Sequence, residues 1–247
     1  MIALLLAALA LAGPFADVRR PLGGGASVNW TRLRLELAVA EADPTLALDA
    51  RPLEMRAIRR IDDEIARALE AVPLRPGVRL GEGADVAASR IRRSWHVAES
   101  RYFDSGRIEV VGAVDLQDVL APWSTARSVV LPAALPSDPT GVVIDVRGLP
   151  LLPSYAPQVV DEAGELLYDA VVWKHLAFQT PPAVWVSDPA APEAGVAGAR
   201  AWLAVAAAAR EGVVVLAAAD AARWRAEVAP AVAHGAGSIV LVVDAQP

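Results

Sequence analysis

The spacing of apolar residues changes once within the first third of the chain, and that change limits what can pack on what. In residues 28–40, "VNWTRLRLELAVA", Leu33, Leu35, Leu37 and Val39 fall on one side of an extended chain, with Arg32, Arg34 and Glu36 on the other. Such alternation is the pattern of a half-buried strand. From Leu53 the period becomes helical: Leu53, Ala57, Ile58, Ile61, Ile65, Ala68, Leu69 and Val72 form one stripe, with Asp49 at the cap position, Pro52 in the first turn and Pro73 as the stop. A helix with one apolar stripe and a strand with one apolar face each need a cover. A long helix laid on a small antiparallel sheet supplies both.

Further along, residues 85–94 read as a shorter helix. Residues 95–103 and 107–116 flank "DSG", where Gly106 can adopt the positive φ of a tight hairpin. The wet face of the long helix carries "RRIDDE", residues 59–64. Its acids sit four residues from arginines (Arg59 and Asp63, Arg60 and Glu64, Asp63 and Arg67), which predicts surface pairing along the helix instead of metal binding.

Residues 121–139 hold four prolines, Pro122, Pro132, Pro136 and Pro139, and no sustained period apart from a short "SVVLP" suited to an edge strand. A domain boundary is expected there. Beyond it come the strand "TGVVIDVRGL", a proline-rich loop, and a hairpin signal in which residues 158–160 face 165–168 across 161–164. Residues 213–217 and 238–244 are continuous apolar runs, the pattern of strands covered on both faces, with a helix over 219–229 ended by Pro230. Alanine content favours a helix for residues 199–210, although Trp202 to Val205 also reads as a strand; the helix is the expectation. The fold class expected is α+β, with two small domains, residues 28–121 and 140–247, each with helices packed on a mostly antiparallel sheet, and a linker at 122–139.

Residues 1–12, "MIALLLAALALA", are apolar but shorter than the roughly 20 residues a membrane-spanning helix needs. They read as the core of a signal peptide spanning 1–16, ending at Ala12 or Ala16. The "DVRRPLGGGAS" that follows, residues 17–27, is expected to be a glycine-rich tether; no Gly-Lys-Ser/Thr follows its glycines, so it lacks the signature of a phosphate loop. No later stretch is long and apolar enough to span, so export and a periplasmic location of the Gram-negative type are expected, with outer-membrane association left open.

With 55% hydrophobic and 21% charged residues, the 247-residue chain can bury a substantial core. Aromatics are only 5%, so seven tryptophans are expected to anchor a core of small aliphatic side chains. Net charge is −6 and Lys174 is the only lysine. No basic stripe exists for a phosphate backbone, which argues against nucleic acid as a partner. Cysteine is absent, which removes disulfides, thiolate catalysis, cysteine zinc sites and the lipid-modified cysteine of a lipoprotein. His96, His175 and His234 lie in separate segments without metal-ligand spacing. Neither a Gly-x-Ser-x-Gly elbow nor a Ser-x-x-Lys occurs. No cofactor or metal is implied.

One pair of charges interrupts an apolar run: Asp145 and Arg147 in residues 140–149. Two apart on a strand, they share a face. They can pair with each other or with groups such as Tyr155 and Tyr168, as a structural ion pair, a partner clamp or part of a reaction centre. Catalysis would need a second acid, base or nucleophile at the same place, and none is nominated.

The order of these segments resembles a known family. "VNWTRLRLELAVAEADP", "MRAIRRIDDEIARALEAV" and "ESRYFDSGRIEVVGAVDLQDVL" are similar to the N-terminal domain of the flagellar assembly protein T and small outer-membrane lipoprotein family. "TGVVIDVRGLPLLPSYAPQVVDEAGELLYD" and the segments from "VVVLAAADAARW" to "SIVLVVD" resemble its extended members. The likeness covers most of residues 28–244, without the lipobox cysteine. It implies an exported, non-enzymatic envelope protein, in some members part of the flagellar basal-body ring, with other envelope proteins as partners, no lipid anchor, and self-association left open. The alternative is a periplasmic ligand-binding protein or hydrolase with a pocket between the two domains.

Overall fold

Alternation and helical stripe meet as expected in the computed structural model, which describes residues 15–43, 45, 49–83, 94–120, 139–169, 183–229 and 239–245. Strands β1 (Arg19–Gly23), β2 (Ala26–Asn29), β3 (Arg34–Ala42), β6 (Trp95–Phe103) and β7 (Arg107–Asp115) form one antiparallel sheet, in the order β1-β2-β3-β7-β6. Helix α1 (Ala50–Glu70) lies on one face of it and buries Leu53, Ala57, Ile61, Ile65 and Leu69, each large aliphatic contributing about 1.5–3 kcal/mol. Contact is close. A Cβ on Gly112 of β7 would come within 2.5 Å of Ile61 Cγ2, so the sheet has no side chain there. The β6/β7 hairpin turns at Gly106, with φ 72°.

Three local expectations change. Residues 17–27 are no loose tether: β1 and β2 pair as a hairpin around Gly23, Gly24 and Gly25, all at positive φ. The two residues just before this segment touch the second half, since the Ser187 hydroxyl donates to the Ala16 carbonyl at 2.6 Å and Phe15 packs on the apolar cluster of Val143, Val184 and Val186. Residues 28–40 are not one strand, because the chain reverses at 30–33 with Leu33 at φ 49°, although Leu33, Leu35, Leu37 and Val39 are all buried as expected. Asp49 does precede α1, but its side chain makes no capping hydrogen bond. On the wet face only Arg60 and Glu64 pair, at 3.2 Å; Arg60 also reaches Glu41, and Asp62 accepts the Trp95 indole N–H at 3.0 Å.

After α1 come a small ribbon, β4 (Pro73–Arg75) with β5 (Val78–Arg79), and the short helices α2 (Leu80–Gly83) and α3 (Leu116–Leu120). The short helix expected at 85–94 and the linker at 122–139 lie outside the described residues except at their ends.

The second half contains two sheets. Strands β8 (Gly141–Asp145), β11 (Val184–Val186), β12 (Ala201–Val205) and β15 (Ile239–Val242) lie in the order β11-β15-β8-β12, every pairing parallel. Strands β9 (Gln158–Asp161), β10 (Leu166–Asp169), β13 (Ala208–Arg210) and β14 (Val213–Leu216) lie in the order β10-β9-β14-β13, with only β9 and β14 parallel. The chain is α+β and its sheets, taken together, are mostly antiparallel. The parallel pairings fall in the second half, where an antiparallel sheet was expected. The reason lies in the apolar runs: β8 and β15 are buried along their length, as parallel strands covered on both faces are. The β9/β10 hairpin forms as read, and helix α4 (Ala218–Arg223) continues through a π turn at Trp224–Val228.

Residues 199–210 overturn the helix expectation. They form an extended ribbon shared by both sheets: β12 pairs with β8, Ala206 N–H donates to Asp145 O, Ala207 N–H donates to Val215 O, and β13 pairs with β14. Alanine's helix preference is worth tenths of a kcal/mol per residue. Burying Trp202 and Ala204 on one face while pairing with a central strand outweighs it.

One apolar core runs through both halves, from Val28, Leu35 and Ile61 to Ile144, Trp185, Trp224 and Leu241. The backbone joins them as well, since the N–H groups of Tyr155 and Ala156 donate to Pro73 and Leu74 carbonyls at 3.0 and 2.7 Å. Trp30, Trp185, Trp202 and Trp224 are buried anchors. Among the described residues no helix is long and apolar enough to cross a membrane.

Candidate binding face at the end of the parallel sheet

Asp145 is the last residue of β8, in the middle of the parallel sheet, and the chain turns immediately after it. Arg147 lies in that turn and not on the strand, so the pair forms by turn closure instead of strand alternation. The Arg147 backbone N–H donates to Asp145 Oδ1 at 3.0 Å, its Nε donates to the same oxygen at 2.9 Å, and its Nη2 donates to Oδ2. This two-pronged contact is the strong geometry for an arginine and a carboxylate. It holds the Asp145 carboxyl below its usual range and the Arg147 guanidinium above its own. Both side chains stay part-exposed, at 30% and 46%.

Two more acids stand near Arg147, Asp188 and Asp244, and add to its positive stabilisation. Each is occupied. Asp244 accepts the Gly148 N–H at 2.8 Å, and Asp188 accepts the Ala190 N–H at 2.7 Å. Among the described residues no three His, Cys, Asp or Glu side chains are placed to hold a metal ion. Tyr155 and Tyr168, expected as alternative partners of the charged pair, are buried elsewhere: Tyr168 meets the Trp224 ring edge-on at 6.4 Å, and burial raises the Tyr155 hydroxyl to about 12.

The residues that sequence reading missed lie beside the pair. Val205 stands opposite Asp145 and Leu203 opposite Val143 in the β12/β8 register, on the same face. Leu203 is 67% exposed and Val205 70%. The alternation of "AWLAV" carries that signal, which the helix reading hid. The end of the sheet thus offers an apolar strip next to a fixed acid and base.

A pocket between the two halves was the mark of the rival reading. What lies there is an open groove of about 620 Å³, bordered by Arg75, Arg79, Leu152, Pro153 and Glu211. Ser154 Oγ lines it, buried and without a hydrogen-bond partner among the described residues. His96 lies exposed on β6 and is not among the residues that line this groove. His175 and His234 lie outside the described residues.

A second charged cluster fixes the β9/β10 hairpin. Arg225 Nη2 donates to Asp161 and, at 2.9 Å, to Glu165, while the Glu165 N–H donates to Asp161 Oδ1 at 2.8 Å. Arg225 first, and the backbone N–H second, hold the Asp161 carboxyl below its usual range. A depressed folded-state value means stability that is complete above the unfolded carboxyl value of about 3.9 and lost as pH falls through the folded one. Asp161→Asn is expected to lower the urea midpoint at pH 7, with the gap from the parent closing as pH falls from about 5 toward 2. A gap independent of pH would show that the charge does not contribute.

Residues 141–245 match the family model described as Treponema pallidum Tp0624, second domain. The match starts at the first residue of β8 and ends beyond β15, so it takes in both sheets of the second half and the whole of the face just described. No curated protein matches the chain.

Proposed function

We propose that the chain is an exported, non-enzymatic protein of the cell envelope, a structural or assembly module that docks other envelope proteins at the end of its parallel sheet. The observation that carries this reading is the pairing of exposed Leu203 and Val205 with the fixed Asp145–Arg147 fork on one face. Exposed aliphatics beside oriented charges suit recognition of a protein surface, and the described acids there, Asp145, Asp188 and Asp244, each accept a hydrogen bond. The apolar residues 1–12 support export to the periplasm. The resemblance of residues 28–244 to the flagellar assembly protein T and small outer-membrane lipoprotein family supports an assembly role, with basal-body ring components among the candidate partners. The match to one domain of a larger treponemal protein supports reading residues 141–245 as a reusable module.

The rival, a periplasmic ligand-binding protein or hydrolase, would use the groove at Arg75 and Arg79. What weighs against it is the groove's open shape and, among the described residues, the lack of an acid or base hydrogen-bonded to Ser154 Oγ.

The test is the double variant Asp145→Ala/Arg147→Ala, made in the full chain. Both side chains are part-exposed, so the melting temperature is expected to stay close to the parent's, while envelope proteins captured by crosslinking in intact cells disappear. An unfolded variant would make the pair structural, and unchanged capture would move the docking face elsewhere; either outcome overturns the proposal.

A further inference from the structure

Sheet edges expose unpaired backbone groups, and proteins protect them with charge, proline, bulges or brevity. Among the described residues the three larger sheets have six outer edges, and four of them are protected in this way. Strand β1 carries Arg19, Arg20 and Pro21 and a register break; β6 carries Glu99 and Arg101 and a register break. Strand β10 has a break of its own, and β13 is three residues long and ends at Arg210. A fifth edge, β11, is also three residues long, and all three are buried.

The remaining edge, β12, has no such device, and among the described residues no strand pairs with its outer side. It runs in unbroken register beside β8 from Ala201 to Val205, with no charge, proline or glycine, and with Leu203 and Val205 exposed. Its backbone orientation is fixed by its neighbours. The Arg200 carbonyl accepts from Thr140 N–H and the Ala206 N–H donates to Asp145, so even-numbered residues turn their backbone groups to β8. By the alternation of a strand, Ala201, Leu203 and Val205 turn theirs outward.

We propose that β12 is a self-association edge, pairing antiparallel with β12 of a second copy so that Leu203 faces the second copy's Leu203. This names one occupant of the proposed docking face and rests on that reading of it. An uncharged strand about a two-fold axis is complementary to itself. In this register Ala201 faces the second copy's Val205. All the outward groups then fall in hydrogen-bonded pairs, two bonds each, or about six in total. Leu203 and Val205 of both copies close into one apolar strip on the face that carries Asp145. Arg200 falls opposite the second copy's Ala206, so like charges do not meet.

The absence of native cysteine makes the register directly testable in the full chain. Facing Cα atoms in a hydrogen-bonded pair are about 5.5 Å apart, within disulfide reach. Leu203→Cys is therefore expected to give a covalent dimer under mild oxidation. Val205→Cys should give at least tenfold less, because its two copies lie about 13 Å apart. Sedimentation at micromolar to millimolar protein should show a concentration-dependent dimer that Leu203→Lys abolishes without shifting the melting temperature. A parent that stays monomeric throughout, or equal crosslinking at 203 and 205, overturns the inference. A monomer that still captures envelope proteins through Asp145 and Arg147 sinks the dimer and leaves the proposed function standing. A dimer that captures nothing does the reverse.

Discussion

Trp224→Ala is expected to destabilise the fold by about 3–5 kcal/mol, the usual range for deleting a buried tryptophan. The side chain is 1% exposed and leaves the π turn to sit between the two sheets of the second half. It meets Trp202 of β12 edge-on at 5.8 Å and Tyr168 of β10 at 6.4 Å, and its indole N–H donates to the Leu167 carbonyl at 3.1 Å. Removal therefore opens a cavity and leaves a buried carbonyl without its donor, two costs that add. The melting temperature should fall by roughly 10 °C or more. A loss below about 1 kcal/mol would mean that the two sheets are not held together through this ring.

Gly141→Ala is the second large effect, and it acts by crowding. A Cβ at Gly141 would lie 2.5 Å from the Ala197 carbonyl oxygen and 2.6 Å from its Cα. Both atoms are backbone, so no side-chain rotation relieves the clash. The contact is held in place, since the Thr140 hydroxyl donates to the Ala197 carbonyl at 2.9 Å and accepts the Arg200 N–H at 3.1 Å. Overpacking ordinarily costs about 1–3 kcal/mol, and this position is expected at the upper end. Because the displaced segment leads directly into β12, hydrogen exchange at residues 201–205 should also accelerate. Gly195→Ala is the matched control: a Cβ there meets nothing within 4 Å, and its stability should be unchanged.

Much of the first half was legible because its signals are local and two-valued. Leu33 to Val39 alternate, Leu53 to Leu69 follow the helical stripe, and Gly106 marks the hairpin; each forms the element its spacing predicts. The break at 30–33 left one mark in the pattern, a phase slip from Val28 and Trp30 to Leu33, Leu35, Leu37 and Val39, and the φ of Leu33 shows it to be a reversal. Residues 17–27 misled for a different reason. Glycines that look like a flexible tether are also what a tight hairpin turn requires, and only pairing with Arg34 to Leu37 of β3, through β2, decides between them.

In the second half the decisive information is non-local. Buried strands of short apolar residues give no alternation to show their partners, so the parallel order of β8, β12 and β15 depends on contacts between residues up to about a hundred positions apart. Residues 199–210 show the same limit, since alanine-rich composition favours a helix until β8 and β14 offer two sheets to pair with. The charged half of the candidate face, Asp145 and Arg147, was visible as an interruption in an apolar run. Its apolar half, Leu203 and Val205, was concealed by the helix reading.

The proposed function requires that face to be where the protein meets its partners. The most direct measurement places a photo-crosslinking amino acid at Val205 in the full chain inside living cells, with the same group at exposed Glu162 as reference. Adducts with envelope proteins or with a second copy should form at 205, exceed those at 162, and lose their envelope-protein bands in the Asp145→Ala/Arg147→Ala background. Equal labelling at both positions, or none at 205, would contradict the account.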